Sequence, residues 1–345
     1  MTQLLPIDDF WQAHGPILDV RSPGEYAQGH LPDAVSFPLF SDDERAQVGT
    51  CYKQQGKETA IELGLELVGP KMAGLVKQAK VLAPERRVRV HCWRGGMRSG
   101  SMGWLLETSG LEVKLLAGGY KSFRQWVRST LATHRHVVVV GGMTGTGKTD
   151  ILHALRQLGE QVLDLEGLAN HRGSSYGALM LPPQPSTEQY ENLIAEQWLE
   201  FGPQRPVWIE AESFRVGTCR VPSETMAQME AAHTVEVIRS ESERLDILVD
   251  VYGQANPDEL IAATQRLEKR LGGLRTQEAV QHIKRGELAA AAAIILTYYD
   301  RTYRHDLDRR GKQIPTVDVS EMSALQAAKF LRCQVSQWGW ITADL

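Results

Sequence analysis

Long apolar runs are missing from this 345-residue chain. No stretch of about eighteen residues is free enough of charge to cross a bilayer, so no membrane span or membrane partner is expected. Residues 1–20 hold Asp8 and Asp9 and lack a basic start followed by an apolar block. They do not read as a secretory leader, and a cytoplasmic location is expected. Cysteine is scarce too: Cys51, Cys92, Cys219 and Cys333 are scattered without CxxC spacing, which excludes a zinc ribbon and a disulfide framework but leaves room for one reactive thiol. Internal repeats are absent, and "LAAAAAIIL" (288–296), read as a buried helix, is the only low-complexity tract. A basic excess is also lacking. The net charge is −4; residues 1–135 carry 17 Lys+Arg against 14 Asp+Glu, and the remainder 21 against 28. Bulk charge therefore excludes a general nucleic-acid binder, and any RNA must be met by local patches.

What is present is a βα alternation. "PILDV" (16–20), "RVRVHC" (87–92) and "VKLLAGG" (113–119) read as buried strands, and "KMAGLVKQAKVL" (71–82) has helical spacing. The stretch 120–136 reads as a helix that runs into a polar segment, which sets a domain boundary: 1–130 and 131–345. Four valines at 137–140 then start a second α/β unit, continued by "EQVLDLEG" (160–167) and "RPVWIEAES" (205–213). Long helical patterns, notably 257–297, precede a last strand at "IPTVDVS" (314–320). The expected fold is α/β, with a helical part at the C-terminal end of the second domain.

The segment Gly142-Met143-Thr144-Gly145-Thr146-Gly147-Lys148-Thr149 matches GxxxxGK[ST] between that strand and a helix. Glycines let backbone N–H groups wrap a phosphate, the helix N-terminus adds its dipole, and Lys148 adds a charge. Gly142, Gly145, Gly147, Lys148 and Thr149 are thus predicted to bind a phosphate or diphosphate, with Thr149 placed to reach Mg2+. Glu210 and Glu212 stand where a metal-organising acid often follows, but the usual Asp is absent, so binding is better supported than nucleotide hydrolysis.

The other candidate is His91-Cys92-Trp93-Arg94-Gly95-Gly96-Met97-Arg98-Ser99. Loop N–H groups with Arg94 and Arg98 favour a thiolate at Cys92 over a thiol, hence a nucleophile. The HCx5R spacing is that used by cysteine phosphatases, and a fused cysteine phosphatase and small-molecule kinase stays open on the motifs alone.

Asp19 to Ala34, "DVRSPGEYAQGHLPDA", and "LAGGYKSFRQW" (116–126) resemble the opening and closing elements of rhodanese-like domains over almost all of residues 4–128. Asp19, Arg21, Glu25 and His30 would fix that fold rather than take part in chemistry. Rhodanese-like and P-loop halves in one chain, with "DLEGLANHRGSSYG" (164–177) and "IEAESFRVG" (209–217), are similar to the tRNA 2-selenouridine synthase family over the full length. The resemblance implies a transferase that replaces sulfur by selenium in 2-thiouridine at the tRNA wobble position. Its implied co-substrates are selenophosphate and geranyl diphosphate, with no tightly bound cofactor, an S-geranyl-2-thiouridine intermediate, and a selenophosphate-supplying enzyme as a further partner. Cys92, Arg94 and Arg98 would be catalytic. Asp164, Arg172, Ser174, Ser175, Glu210, Arg266, Lys269, Arg270 and Arg304 are candidate ligand or tRNA contacts. Helical spacing puts Arg266, Lys269 and Arg270 on one face, where they would follow a phosphate backbone; a solvated charged helix has the same pattern.

Overall fold

The structure is a computed structural model that describes residues 3–310 and 314–341; the side chains of 304–310 lie outside that description. The chain forms two compact units, one comprising Met1–Thr130 with Glu191–Glu196 and the other Leu131–Tyr190 with Gln197–Leu345.

In the first unit, β1 (Gln3–Leu5), β2 (Ile17–Asp19), β3 (Ala34–Ser36), β4 (Arg87–His91) and β5 (Glu112–Leu116) pair in the order β1-β5-β4-β2-β3, all parallel. Parallel strands are covered on both faces, which explains why their apolar runs are short and nearly unbroken. Leu18, Val88, Val90 and Val113 pack with Met102 and Leu106 of the helix Met97–Thr108 into one buried cluster. Phe123 and Val127 of the helix Gly119–Ala132 are fully buried as well.

The second unit repeats the plan. Its main sheet holds β6 (Val137–Gly141), β7 (Gln161–Leu163), β8 (Val207–Glu210), β11 (His233–Ile238) and β12 (Thr316–Asp318) in the order β12-β11-β6-β8-β7, again parallel. The strands β9 (Arg215–Val216) and β10 (Cys219–Arg220) form a separate antiparallel ribbon. All five residues of β6 are buried, and Val138 and Val140 pack with Leu152 and Leu155 of the helix Lys148–Gln157. A distinct apolar cluster lies in the helical part, built by Leu260, Ala263, Ile283, Ala291 and Ile295.

The helical patterns expected over 257–297 are Pro257–Gln265, Glu268–Leu271, Gly273–Lys284 and the start of Leu288–Arg310. Glycines account for two of the breaks: Gly272 has φ +95 and Gly286 φ +76, backbone that other residues rarely adopt. The stretch 288–296 is a correction: it is only half-buried, with Ala291, Ile295 and Leu296 inward and Ala289 exposed. Among the described residues, no helix is long and apolar enough to cross a membrane.

Candidate active sites

Each unit carries a glycine-rich loop directly after the middle strand of its sheet, where chain crossovers part to opposite sides and α/β sheets open a ligand crevice. After β4 comes Cys92, only 3% exposed. Its Sγ lies 3.1 Å from Ser99 Oγ, which in turn donates to the Gly96 carbonyl at 3.1 Å. Burial pushes the Cys92 thiol up. The Ser99 hydroxyl and the backbone N–H groups of Ser99, Arg94 and Gly96 outweigh that and hold it below the ordinary thiol value. The closing element passes so close that a Cβ on Gly119, at φ +60, would sit 2.3 Å from the Cys92 carbonyl. Tyr120 N–H donates to that same carbonyl at 2.8 Å.

Beneath the loop, Asp19 and Arg21 are fully buried and paired, Arg21 Nη2 lying 2.6 Å from Asp19 Oδ2. The Arg21 guanidinium stacks 3.8 Å from the Tyr120 ring. His91 is buried, and burial lowers it to about 4, so it stays neutral at physiological pH. Asp19 and Arg21 are tied into the fold, Arg21 Nη2 also donating to the Gly29 carbonyl at 2.6 Å. The Arg98 guanidinium interacts with the Cys92 charge and also binds Glu25, with Nη1 to Oε2 at 2.6 Å and Nη2 to Oε1 at 3.2 Å. Burial would raise Glu25, yet Arg98, the Ser22 N–H and Arg45 hold it at about 2. Arg94 is exposed at the loop surface. The Glu25 pair ties Arg98, in the helix Met97–Thr108, to the helix Pro23–Gln28.

After β6 comes the P-loop. Lys148 Nζ donates to the Gly142 carbonyl at 2.6 Å, and Thr149 Oγ1 donates to Glu166 Oε2 at 3.1 Å. Arg244, buried in the helix Glu241–Tyr252, donates from Nε to the Thr144 carbonyl at 2.8 Å and binds Asp300 at 2.5 and 3.0 Å. Glu210 is 1% exposed and accepts the Glu166 N–H at 2.7 Å. Burial raises it well above the carboxylate range. It is a support for the loop and does not line the cavity. Glu212 does line it, and burial together with repulsion from Glu166 pushes it up to about 8. Asp164 caps a short turn by accepting the Gly167 N–H at 2.7 Å and pairs with His153 Nε2 at 2.7 Å.

The P-loop opens into a cavity of about 610 Å³. Its lining includes Gly142, Gly145, Gly147, Lys148, Thr149, Asp164, Arg172 and Ser174 and, among apolar residues, Ile247, Leu248, Val251, Leu260, Ile283, Leu288, Ala291 and Ile295; Ile247 and Leu248 lie against Gly147 and Gly145 of the P-loop itself. Arg172 donates to the Leu179 carbonyl at 2.9 Å and lies 5.6 Å from the Tyr252 ring. Ser175 does not reach the cavity. Its hydroxyl donates to the Ala263 carbonyl at 3.1 Å, and its N–H donates to Tyr299 Oη at 3.1 Å.

The expected basic helix face is broken. The helix Pro257–Gln265 ends before Arg266, and Leu267 N–H bonds back to Thr264 at 3.0 Å in a tightened turn. Arg266, Lys269 and Arg270 are all exposed, but Arg266 donates to the Ser175 carbonyl at 2.8 Å. The Arg304 side chain lies outside the described residues. Sequence reasoning missed Ser99, Glu166 and the apolar lining of the cavity. A hydroxyl next to the loop arginine was the only available signal for the first.

A family model described as the tRNA 2-selenouridine synthase AAA domain matches residues 135–333, and a rhodanese-like domain model matches residues 6–126. A tRNA 2-selenouridine synthase of Shewanella denitrificans is 33% identical, over 90% of this chain and 94% of its own. Those of Bdellovibrio bacteriovorus and Marinobacter nauticus are 33% and 34% identical over 88% and 87% of this chain and 92% and 90% of theirs. This chain belongs to the tRNA 2-selenouridine synthase family. The rhodanese-like unit carrying Cys92 and the P-loop unit carrying Lys148 are the two parts of that family's architecture.

Proposed function

We propose that this protein is a transferase that converts 2-thiouridine at the tRNA wobble position to 2-selenouridine, through an S-geranyl intermediate. The observation that carries the reading is the mixed lining of the cavity. A P-loop that opens into a cavity with many apolar side chains suits a ligand with a diphosphate at one end and a hydrocarbon at the other. In the first step the tRNA sulfur attacks C1 of geranyl diphosphate, the C–O bond breaks, diphosphate leaves, and the N3 proton passes to solvent. Lys148 and the loop N–H groups stabilise the charge that develops on the departing diphosphate. Thr149 Oγ1 and the Glu166 carboxylate, 3.1 Å apart, are hard oxygen donors that suit Mg2+ shared with substrate phosphate oxygens, and the ion would neutralise charge there.

In the second step the selenium of selenophosphate adds at C2, water cleaves the P–Se bond and releases phosphate, and the C2–S bond breaks so that geranylthiol departs, with solvent supplying the proton. The Cys92 loop supplies a thiolate that guides the soft selenium, and N–H donors with Arg94 for the phosphate.

Nucleoside mass spectrometry of thiolated tRNA tests the proposal. Geranyl diphosphate alone is expected to give S-geranyl-2-thiouridine, and both donors together 2-selenouridine. Unchanged 2-thiouridine in both reactions would overturn it.

A further inference from the structure

The antiparallel ribbon of β9 and β10 carries an arrangement that its own stability does not explain. Its register sets Cys219 opposite Val216 and Arg220 opposite Arg215. Val216 and Cys219 are fully buried and anchor the ribbon, whereas Arg215 and Arg220 are exposed. Like charges directly opposite each other on paired strands are destabilising. Among the described residues, neither arginine has a carboxylate partner to offset this. An anion bound by both guanidinium groups would relieve the repulsion. Phe214, the residue before Arg215, is a large aromatic left 63% exposed, and the Arg215 guanidinium lies 5.8 Å from its ring centroid.

The ribbon is fastened beside the P-loop cavity. Gln184 Nε2 donates to the carbonyls of Val216 and Ala169, both at 3.0 Å, and Gln184 Oε1 accepts the Thr218 N–H at 2.9 Å. The turn packs on His171: a Cβ on Gly217, at φ +60, would sit 2.7 Å from His171 Cδ2. Arg172, Gly173 and Ser174, which follow His171, line the cavity, as does Glu212, two residues before Phe214. The ribbon thus adjoins the cavity lining in sequence at Glu212 and by packing at His171.

A backbone phosphate suits a pair of guanidinium groups, and an exposed ring suits the flat face of an unpaired base; single-stranded RNA offers both in each nucleotide. We propose that this ribbon is a contact surface for single-stranded RNA, with Arg215 and Arg220 gripping a backbone phosphate and Phe214 stacking on an unpaired base. The inference rests on the tRNA reading above and gives that substrate a surface beside the P-loop cavity. Residues 136–345 carry 21 Lys+Arg against 28 Asp+Glu, so bulk charge does not draw RNA to this part of the chain and a local cation pair has to hold it.

The test measures the affinity of the full chain for a tRNA carrying 2-thiouridine at the wobble position, from about 50 to about 200 mM salt. Arg215→Gln combined with Arg220→Gln is expected to weaken binding about tenfold at the lowest salt and to flatten the slope of log affinity against log salt by about 1, the mark of one lost phosphate contact. Phe214→Ala is expected to weaken binding about tenfold with the slope unchanged, and Phe214→Trp to restore it, the mark of stacking rather than charge. Thermal unfolding of the arginine double variant should come no earlier than in the wild type, since the repulsion across the ribbon is gone; if it comes earlier, the two Phe214 variants decide. Wild-type affinity and slope in the double variant, or wild-type affinity in Phe214→Ala, would overturn the ribbon contact alone. A wild type that neither binds this tRNA nor changes its 2-thiouridine would overturn the tRNA reading, and the ribbon contact with it.

Discussion

The two glycine-rich loops occupy the same place in their sheets but are built for different work. Both follow the middle strand of a five-stranded parallel sheet and lead into a helix. The Cys92 loop begins with a thiol held below its ordinary pKa, hydrogen-bonded to Ser99, and has Arg98 paired with Glu25. The P-loop carries Lys148 and opens into a cavity lined in part by apolar side chains. A loop of N–H groups is a generic anion cradle, and on the proposed reading its neighbours decide the chemistry: a thiolate makes it a transfer site, whereas apolar lining makes it a holder for a ligand with a hydrocarbon end.

The strongest way to break this contrast is Cys92→Ala. On the proposed reading, 2-selenouridine formation falls by about 1000-fold or more, and S-geranylation proceeds at the wild-type rate. Normal selenation by this variant would remove Cys92 from the chemistry. Next in size is Lys148→Ala, which should cut S-geranylation about 100-fold, the usual cost of one donor to developing charge. Retained geranylation would detach the P-loop from that step.

The smallest effect concerns the brace under the first loop. Glu25→Gln breaks the pair with Arg98 and should cost about 1–3 kcal/mol in denaturant unfolding. The folded-state pKa of Glu25 lies at about 2 against an ordinary 4.5, so its contribution is complete above about pH 4.5 and disappears as pH falls through 2. The wild type should therefore lose its advantage over the variant across that window. A constant gap down to pH 2 would show that the ion pair does not stabilise the unit.

The loops were legible in the sequence because phosphate binding needs glycines and a lysine at fixed offsets, and a loop thiolate needs N–H donors and cations close by in the chain. The helical face of Arg266, Lys269 and Arg270 was not, since a tightened turn at 264–267 leaves no mark on charge spacing. Strand β11, "HTVEVI", was overlooked because it alternates polar and apolar residues, although it sits beside β6 inside the sheet. The Arg98–Glu25 pair was not legible because the partners lie 73 residues apart. The apolar cavity was hidden for a related reason: an apolar stripe on a helix reads the same whether it meets another helix or an open space.

The central claim, that the two loops serve separate steps, is tested most directly by giving each variant the other's starting material. Lys148→Ala supplied with S-geranyl-2-thiouridine tRNA and selenophosphate is predicted to form 2-selenouridine at the wild-type rate, while Cys92→Ala supplied with thiolated tRNA, geranyl diphosphate and selenophosphate accumulates the S-geranyl nucleoside. Failure of Lys148→Ala to selenate pre-geranylated tRNA would contradict the claim.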